Sequence, residues 1–143
     1  MRIANRRAFH HYDVSDKLEA GLVLTGAEIK SIRAGRASLE GAFVKLKEGQ
    51  VYLVNAYIHP WMGARIEDRR ERKLLLHHRQ IQSLIGVTSA KSFQLVPLAI
   101  YFKNNLAKLE IGVGRSKKVY EKRQVIKKRM VAREIERELR GKS

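Results

Sequence analysis

Short apolar runs with alternating polar residues, separated by turn residues, are the feature that most limits the possible folds. Two pairs of such runs flank short turns, which predicts two antiparallel hairpins. The first joins 43–47 to 51–57 through Glu48-Gly49-Gln50, and the second joins 93–102 to 106–113 through Lys103-Asn104-Asn105. Pro97 lies inside a predicted strand, and because proline donates no ladder hydrogen bond it indicates an edge or a bulge. The body is therefore predicted to be mainly antiparallel β.

Shorter elements are predicted before and between the hairpins. Thr25-Gly26-Ala27-Glu28 fits a capping box, in which the threonine hydroxyl and the Glu28 carboxylate each accept from an amide at the start of a helix. Gly35 suits the end of that helix, so we predict a helix over 26–34 with Lys30 and Arg33 directed outwards. The remaining predictions are strands over 9–14 and 21–24, a turn over 16–20, a loop over 60–72 and a short helix over 80–85, closed by Gly86.

The number of elements predicts one small barrel followed by a tail. About six short strands in the first 114 residues suit a small closed barrel, which leaves no sheet edge exposed. Among such barrels the OB type is the one most often found on nucleic acid, which is an analogy and not a derivation. We therefore predict a mainly β fold with short helices, formed by an OB-type barrel body over 1–114 and a basic tail over 115–143.

Positive charge dominates the composition and is concentrated at the C-terminal end. Thirty Lys and Arg residues face fourteen Asp and Glu, a net charge of +16. Residues 115–143 hold twelve basic and four acidic residues, a net +8 and half of the total. Such self-repulsion opposes a compact chain unless a polyanion offsets it, and nucleic acid is the usual one because neutralised phosphates release counterions. A membrane surface would also require an exposed apolar face, and none is predicted in the body, so no membrane partner is expected.

Several kinds of site are disfavoured by the residues at hand. The chain has no cysteine, which excludes disulfides and thiolate metal sites and suits a reducing, cytoplasmic compartment. No signal peptide or transmembrane segment is predicted. The five histidines include two adjacent pairs, whose side chains would point to opposite faces of a strand, so no metal and no other cofactor is expected. No general base or metal pair can be recognised, so the chain is predicted not to be an enzyme.

Two basic segments each allow a structural and a functional interpretation. Residues 65–79 mix six basic residues with three acids and two histidines, which is typical either of a solvated loop with internal ion pairs or of a patch that contacts phosphate. The tail carries a narrow apolar stripe, Val131, Ile135 and Leu139, which predicts a helix too weak to persist alone. We expect a tail that is disordered when free and becomes helical on RNA, with Tyr120 offering a stacking face.

Several stretches of the sequence resemble the SsrA-binding protein family (small protein B), whose members are partners of transfer-messenger RNA. The most specific stretch is 19–35, and the resemblance covers nearly the whole chain in order. The other matching stretches are 5–8, 72–76, 96–98, 101–103 and 117–123. Some positions depart from the family pattern. Glu121 stands where the family usually has aspartate, Ser116 where glycine is common and Trp61 where tyrosine is frequent, while Ser92 and Gln94 replace the usual glycine and threonine.

The resemblance implies partners and a set of contact residues. It implies an OB-type barrel with one face on the tRNA-like domain of transfer-messenger RNA, and a tail that becomes helical in the decoding region and empty mRNA channel of the ribosome. The body contacts that it implies are Asn5, His10, Glu19 and Leu75, to which we add the basic residues Arg7, Lys30, Arg33 and Lys73. The tail contacts that it implies are Lys117, Lys118, Tyr120, Glu121, Lys122 and Arg123, to which we add Lys127, Lys128 and Arg129.

The function that follows is a monomeric, non-enzymatic adaptor that binds transfer-messenger RNA and brings it to stalled ribosomes for trans-translation, with the tail sensing the empty mRNA channel. A structural ribosomal protein and a general OB-type RNA-binding protein are the alternatives, and composition does not separate them. Glu19 is the unusual contact, because an acid repels phosphate. Its expected partner is a base amino group, a sugar hydroxyl or a basic side chain of the protein itself.

Overall fold

The structure is a computed structural model that describes residues 2–61, 67–89 and 93–117. Within these ranges the chain forms nine strands and three helices. The strands are β1 (Arg2–Ala4), β2 (Tyr12–Leu22), β3 (Ala37–Ser38), β4 (Phe43–Lys47), β5 (Gln50–Val54), β6 (Tyr57–Ile58), β7 (Arg72–Leu75), β8 (Gln94–Lys103) and β9 (Leu106–Ser116). The helices are α1 (Ala8–His11), α2 (Gly26–Arg33) and α3 (His78–Ser89), and none of these three is long and apolar enough to cross a lipid bilayer.

Seven of the strands form one antiparallel sheet that curls around the core. Their order is β1-β8-β9-β2-β7-β5-β4, while β3 and β6 form a separate two-stranded sheet. Strand β4, at one edge, packs against β8, near the other edge, so the sheet wraps into a small barrel. The predicted mainly β, OB-type barrel with short helices is confirmed. Strands β4 and β8 are not hydrogen-bonded to each other where the barrel closes. Apolar side chains of the two strands, among them Val44, Leu46 and Leu95, line the space between them instead.

The curled sheet has an inner face and an outer face. The inner face forms the main core, to which all seven strands contribute and on which α2 and α3 place Ile32, Ile81 and Leu84. Gly112 lies between the core residues Ile111 and Val113 of β9 and therefore faces outwards. A second, smaller core lies on that outer side, where Ala8 of α1 packs with Val96 and Leu98. Helix α1 thus covers one end of the outer face and leaves the remainder open.

Both predicted hairpins are confirmed, with tighter turns than expected. Each loop has two residues in the left-handed region, Glu48 and Gly49 in the first and Asn104 and Asn105 in the second. Two such residues are what a two-residue hairpin turn requires to match the twist of its strands. The first hairpin ends at Val54, because the left-handed Asn55 turns the chain away before β6 pairs with β3. The predicted bulge at Pro97 is also confirmed, since the register of β8 on β9 shifts between Pro97 and Ala99.

The N-terminal segment differs from its prediction. Residues 8–11 form a helical turn and not the start of a strand, because Ala8 packs on Val96 and Leu98 of the outer face. Strand β2 then runs through 16–20, where a turn was expected. Its pairing with β9 shifts register between Val14 and Asp16. This bulge breaks the apolar–polar alternation that one long strand would otherwise show.

Three further boundaries differ in the second half of the chain. Residues 72–75 form a strand, so the predicted loop 60–72 ends earlier; the strand was missed because its first buried residue is an arginine. Helix α3 extends over His78–Ser89 and does not end at Gly86. A Cβ at Gly86 would meet no atom within 4 Å. Strand β9 continues to Ser116, two residues beyond the predicted limit of the body at 114. Residues 118–143, most of the predicted tail, lie outside the described residues.

Helix α2 begins at Gly26 as predicted and ends at Arg33, one residue before the predicted end. The Thr25 hydroxyl accepts from the Glu28 amide at 3.2 Å, and the Glu28 carboxylate accepts from the Thr25 amide at 3.0 Å. Gly35, with a φ of 73°, ends the helix, and the amides of Gly35 and Arg36 donate to the carbonyls of Ile32 and Ser31. The predicted outward direction of Lys30 and Arg33 is confirmed, since both are exposed.

Two arginines converge on the buried carboxylate of Glu28. Arg72 Nε donates to Oε2 at 2.6 Å, and Arg70 Nη2 donates to Oε1. Arg72 is fully buried, and its other two nitrogens donate to the carbonyls of Ala56 at 2.7 Å and Asp68 at 3.0 Å. Burial alone would raise the pKa of Glu28, but hydrogen bonds from Arg70, the Thr25 amide and Arg72 outweigh it and hold that pKa below 4.5. The cluster therefore ties α2 to β7 and to the chain on either side of β6.

Replacing Glu28 by glutamine is expected to lower the free energy of unfolding by about 3–5 kcal/mol, because Arg72 would stay buried without its counter-charge. Urea unfolding measures this loss. The same change at Glu40, whose ion pair with Arg7 is exposed, is the matched control and should cost less than ~1 kcal/mol.

The difference between wild type and Glu28→Gln should also depend on pH. The folded-state pKa of Glu28 is lowered, so its contribution is complete above pH 4.5 and is lost as the pH falls through the lower folded value. Equal losses of stability from the Glu28 and Glu40 variants at neutral pH would contradict this account of the cluster.

Candidate nucleic-acid interface

The open part of the outer face brings residues from five strands into one row. In order across the ladder, the paired residues are Arg2, Tyr101, Lys108, Gly21 and Leu75. Because side chains two positions apart on a strand share a face, Glu19 and Lys73 lie beside this row. The structure therefore brings three of the predicted contact residues together on one surface: Glu19, Lys73 and Leu75.

A polar network surrounds Glu19 on this face. The Tyr101 hydroxyl donates to Glu19 Oε2, and Lys103 Nζ lies 3.8 Å from Oε1. Arg2 lies over the Tyr101 ring, 5.4 Å from its centroid, and forms an ion pair with Glu110 at 3.1 Å. Glu19 thus has a basic partner within the protein, one of the three kinds that were expected for it.

The titration of Glu19 and Tyr101 follows from this network. The hydrogen bond from Tyr101, helped by the charges of Lys103 and Lys108, outweighs burial and lowers the pKa of Glu19 below 4.5. Burial and the neighbouring Glu19 carboxylate raise the pKa of Tyr101 to about 12. At neutral pH Glu19 is therefore an ionised acceptor, suited to receiving hydrogen bonds from a partner and not to donating a proton.

Exposed apolar side chains border the network. Leu75 is 56% exposed, and Leu106 and Val23 are also largely exposed. Gly21 allows Leu75 to lie close to β2, because a Cβ at Gly21 would come within 3.2 Å of the Leu75 Cβ. The Val23 amide donates to the Lys73 carbonyl at 3.0 Å, so Val23 lies opposite Lys73. The surface thus combines apolar contacts with the basic residues Lys73, Lys103 and Lys108, as a face that meets both sugars and phosphates would.

The residues predicted near the N-terminus form a second group at α1. The Asn5 side-chain amide donates to the Pro97 carbonyl at 2.8 Å, and its backbone amide donates to Leu98 at 2.8 Å. Asn5 therefore has a structural role, since it fastens the start of α1 to β8. Arg7 lies 2.9 Å from Glu40 in an exposed ion pair, and His10 is exposed on α1. Arg7 and His10 are accessible, and Asn5 is partly buried.

The remaining predicted residues lie on α2 and in the tail. Lys30 and Arg33 are exposed on α2, with the Arg33 guanidinium 4.4 Å from the centroid of the Phe102 ring. Lys117 is the last described residue of the chain. The other predicted tail contacts lie outside the described residues: Lys118, Tyr120, Glu121, Lys122, Arg123, Lys127, Lys128 and Arg129.

In residues 67–79, the described part of the basic segment 65–79, some basic side chains form internal ion pairs and others stay exposed. Arg70 and Arg72 turn inwards to Glu28, as internal ion pairs would, while Lys73 stays exposed on the outer face. The residues that sequence analysis missed are Arg2, Tyr101, Lys103, Lys108 and Glu110. Alternation along β8 and β9, counted from the Asn104-Asn105 turn, would have placed Tyr101 opposite Lys108. Within the described residues no cluster of three or more His, Asp or Glu side chains could hold a metal ion.

Replacing Glu19 by glutamine is expected to shift the pKa of Tyr101 from about 12 towards 10.0, because the anionic acceptor is lost while burial remains. Tyrosine ring carbon NMR during a pH titration measures this, with the signal assigned through Tyr101→Phe. Glu40→Gln is the matched control and should leave the titration unchanged. A Tyr101 titration that is identical in wild type and Glu19→Gln would rule out the hydrogen bond.

Known proteins match this chain over nearly its whole length. The sequence pattern of the SmpB protein family matches residues 2–141. The SsrA-binding protein of Carboxydothermus hydrogenoformans is 47% identical over 141 residues, 96% of this chain and 95% of that protein. The SsrA-binding protein of Geobacillus kaustophilus is 49% identical over 139 residues, 95% of this chain and 90% of that protein. A solved structure described as "tmRNA-SmpB: a journey to the center of the bacterial ribosome" matches with a TM-score of 0.69 and 42% identity, covering 81% of this chain and 84% of that chain. The chain therefore belongs to the SmpB protein family.

Proposed function

We propose that this chain binds the tRNA-like domain of transfer-messenger RNA and brings it to stalled ribosomes for trans-translation, acting in the cytoplasm as a monomeric adaptor and not as an enzyme. The proposal is supported by the outer face, where Glu19, Lys73 and Leu75 lie on one surface in a chain of net charge +16. Relatives that are nearly half identical are called SsrA-binding proteins, and the description of a similar solved structure names tmRNA-SmpB and the center of the bacterial ribosome.

Glu19 would act on this face as a hydrogen-bond acceptor. Its carboxylate is held by Tyr101 and lies near Lys103, so its negative charge is partly offset before RNA arrives. An oriented acceptor of this kind suits a 2′-hydroxyl or an exocyclic amino group, the groups that RNA presents besides phosphate. Leu75 would pack on a ribose or base, and Lys73 would contact phosphate. Such a combination selects an RNA shape, because phosphate contacts alone bind any polyanion.

The flanking candidates would extend the interface beyond the outer face. Arg7 and His10 on α1 are accessible, although Arg7 must exchange Glu40 for a phosphate. Lys30 and Arg33 are exposed on α2, where the Arg33 guanidinium already lies over the Phe102 ring. Asn5 would contribute by positioning α1. Single substitutions at these positions would separate their contributions to RNA binding.

The tail would be the part that reaches the ribosome. Residues 115–143 carry half of the net charge, and Lys117, Lys118, Tyr120, Glu121, Lys122, Arg123, Lys127, Lys128 and Arg129 are its proposed contacts. Neutralisation by rRNA phosphates would favour a helix in a segment whose basic side chains repel one another when free. The division into an RNA-binding body over 1–114 and a ribosome-directed tail would make the chain a bridge between two RNAs. That role would require no covalent bond to be formed or broken.

Leu75→Ser is expected to weaken binding of the isolated tRNA-like domain about tenfold, because the full burial of a leucine side chain contributes ~1.5–3 kcal/mol and Leu75 would lose part of that. Filter binding at a fixed salt concentration measures the dissociation constant. The matched control is Ile85→Ser, which makes a similar change at an exposed position of α3 away from the proposed interface.

A companion variant, Lys73→Ala, separates phosphate contact from shape recognition. It should reduce the slope of log affinity against log salt by about 1, the effect of one phosphate contact, while it preserves the preference for a tRNA-like fold over single strands.

Affinity that falls equally in Leu75→Ser and Ile85→Ser would count against the outer face as the RNA surface.

A further inference from the structure

We propose that a pocket at the C-terminal end of α2 is a second RNA site, which takes one unpaired nucleobase of a single strand. Among the residues that the structure describes, this cavity of about 290 Å³ is lined by Ala34, Arg36, His59, Pro60 and Trp61. None of them belongs to the strands that form the row on the outer face. The proposal rests on the chain being an RNA-binding protein, and it adds a site that the outer-face interface does not use.

The imidazole of His59 is held in place before any ligand arrives. Its Nδ1 lies 2.9 Å from the Tyr57 hydroxyl, and the two rings meet edge to face with centroids 6.4 Å apart. Its backbone amide donates to the Arg36 carbonyl at 2.9 Å, and its carbonyl accepts from the Ser31 hydroxyl. A ring fixed from the backbone and from one nitrogen loses little conformational entropy when a flat ligand stacks on it.

The walls of the pocket have the shape and composition of a stacking site. Trp61 and Pro60 offer flat apolar surfaces, and the planar guanidinium of Arg36 can stack as well as pair with phosphate. Trp61 is partly buried and lines the cavity, so part of it faces the space that a ligand would occupy. An indole and an imidazole in one small cavity suit the π-face of a base better than they suit an aliphatic side chain.

The charge around the pocket favours a polyanion. Arg36 is exposed, and no ion pair to it is present within the described residues. The end of α2 also exposes Lys30 and Arg33. Carbonyls at the end of a helix would ordinarily repel an anion, but those of Lys30, Ser31 and Ile32 already accept hydrogen bonds from Ala34, Arg36 and Gly35. A nucleotide whose base enters the pocket would therefore find cations for its phosphates.

Trp61 is the single tryptophan of the chain, so its fluorescence reports on this site alone. Full-length protein is titrated with hexa-adenylate RNA, with a hexamer of the same backbone that lacks bases, and with adenosine monophosphate. Saturable quenching by hexa-adenylate, without quenching by the abasic hexamer, is the expected result. No change with hexa-adenylate, or an equal change with the abasic hexamer, overturns the proposal. Equal quenching by adenosine monophosphate at the same concentration would assign the pocket to a free nucleotide and overturn the single-strand site.

Variants supply a second readout through the anisotropy of fluorescein-labelled hexa-adenylate. Trp61→Ala should weaken binding roughly 5- to 150-fold, the effect of losing one base–aromatic stack, whereas Trp61→Phe should retain most of it. Urea midpoints identify any variant that fails to fold. Filter binding of the tRNA-like domain runs in parallel: its failure with wild type would refute the proposed function, whereas its success beside unchanged Trp61 fluorescence would refute only the pocket. Identical affinities of wild type and Trp61→Ala for hexa-adenylate would also overturn the proposal.

Discussion

The buried ion-pair cluster of Arg72 and Glu28 is the interaction on which the geometry of the proposed RNA surface depends. Arg72 is fully buried, and each of its three nitrogens donates to a separate acceptor. A buried guanidinium without such partners would be strongly destabilising. The need of Arg72 for these acceptors therefore restricts the register of β7. Because side chains alternate along a strand, burying Arg72 and Leu74 turns Lys73 and Leu75 to the outer face. A slip of β7 by one residue would reverse both pairs.

On the outer face the negative charge of Glu19 is offset within the protein, so that an acid at the proposed RNA surface would repel phosphate less. Glu19 does not stand alone, because Tyr101 donates to it and Lys103 lies near it, while Glu110 on the neighbouring strand is paired with Arg2. The acids of this face are thus compensated within the protein. Exposed leucines beside them leave an apolar area that a monomer in water has no need to expose. Both features suit recognition of a folded RNA by shape and sugar contacts, with phosphate attraction supplying the general affinity.

Local signals in the sequence predicted much of the fold, and long-range pairing accounts for what was missed. The hairpins and α2 follow from turn residues and from a capping box, which act over two to four residues. Strand β7 was missed because its inward residue is an arginine, whose partner Glu28 lies 44 residues earlier in the chain. The bulge after Val14 hid the continuity of β2, and the contact of Ala8 with β8 made a helical turn out of a segment with the alternation of a strand.

The same distinction applies to the site. Glu19 and Leu75 were predicted from the family resemblance and Lys73 from its charge, and the pairing of β2 with β7 puts all three on one face. Tyr101, which orients Glu19, is 82 residues away along the chain, so no local pattern links the two. Asn5 was predicted as an RNA contact, yet its amide is engaged by the Pro97 carbonyl, a partner that only the tertiary structure supplies. The predicted segment 115–143 begins two residues inside β9, because Tyr12 pairs with Ser116.

Truncation after Lys117 tests whether one chain joins two RNAs through separable parts. This cut preserves all of β9 and removes residues 118–143. Tagging of stalled peptides in a reconstituted translation system is measured beside binding of the tRNA-like domain. We expect the truncated protein to bind the tRNA-like domain still, although more weakly because positive charge is lost, and tagging to be abolished. Full tagging by the truncated protein, or loss of tRNA-like binding while the body remains folded, would contradict it.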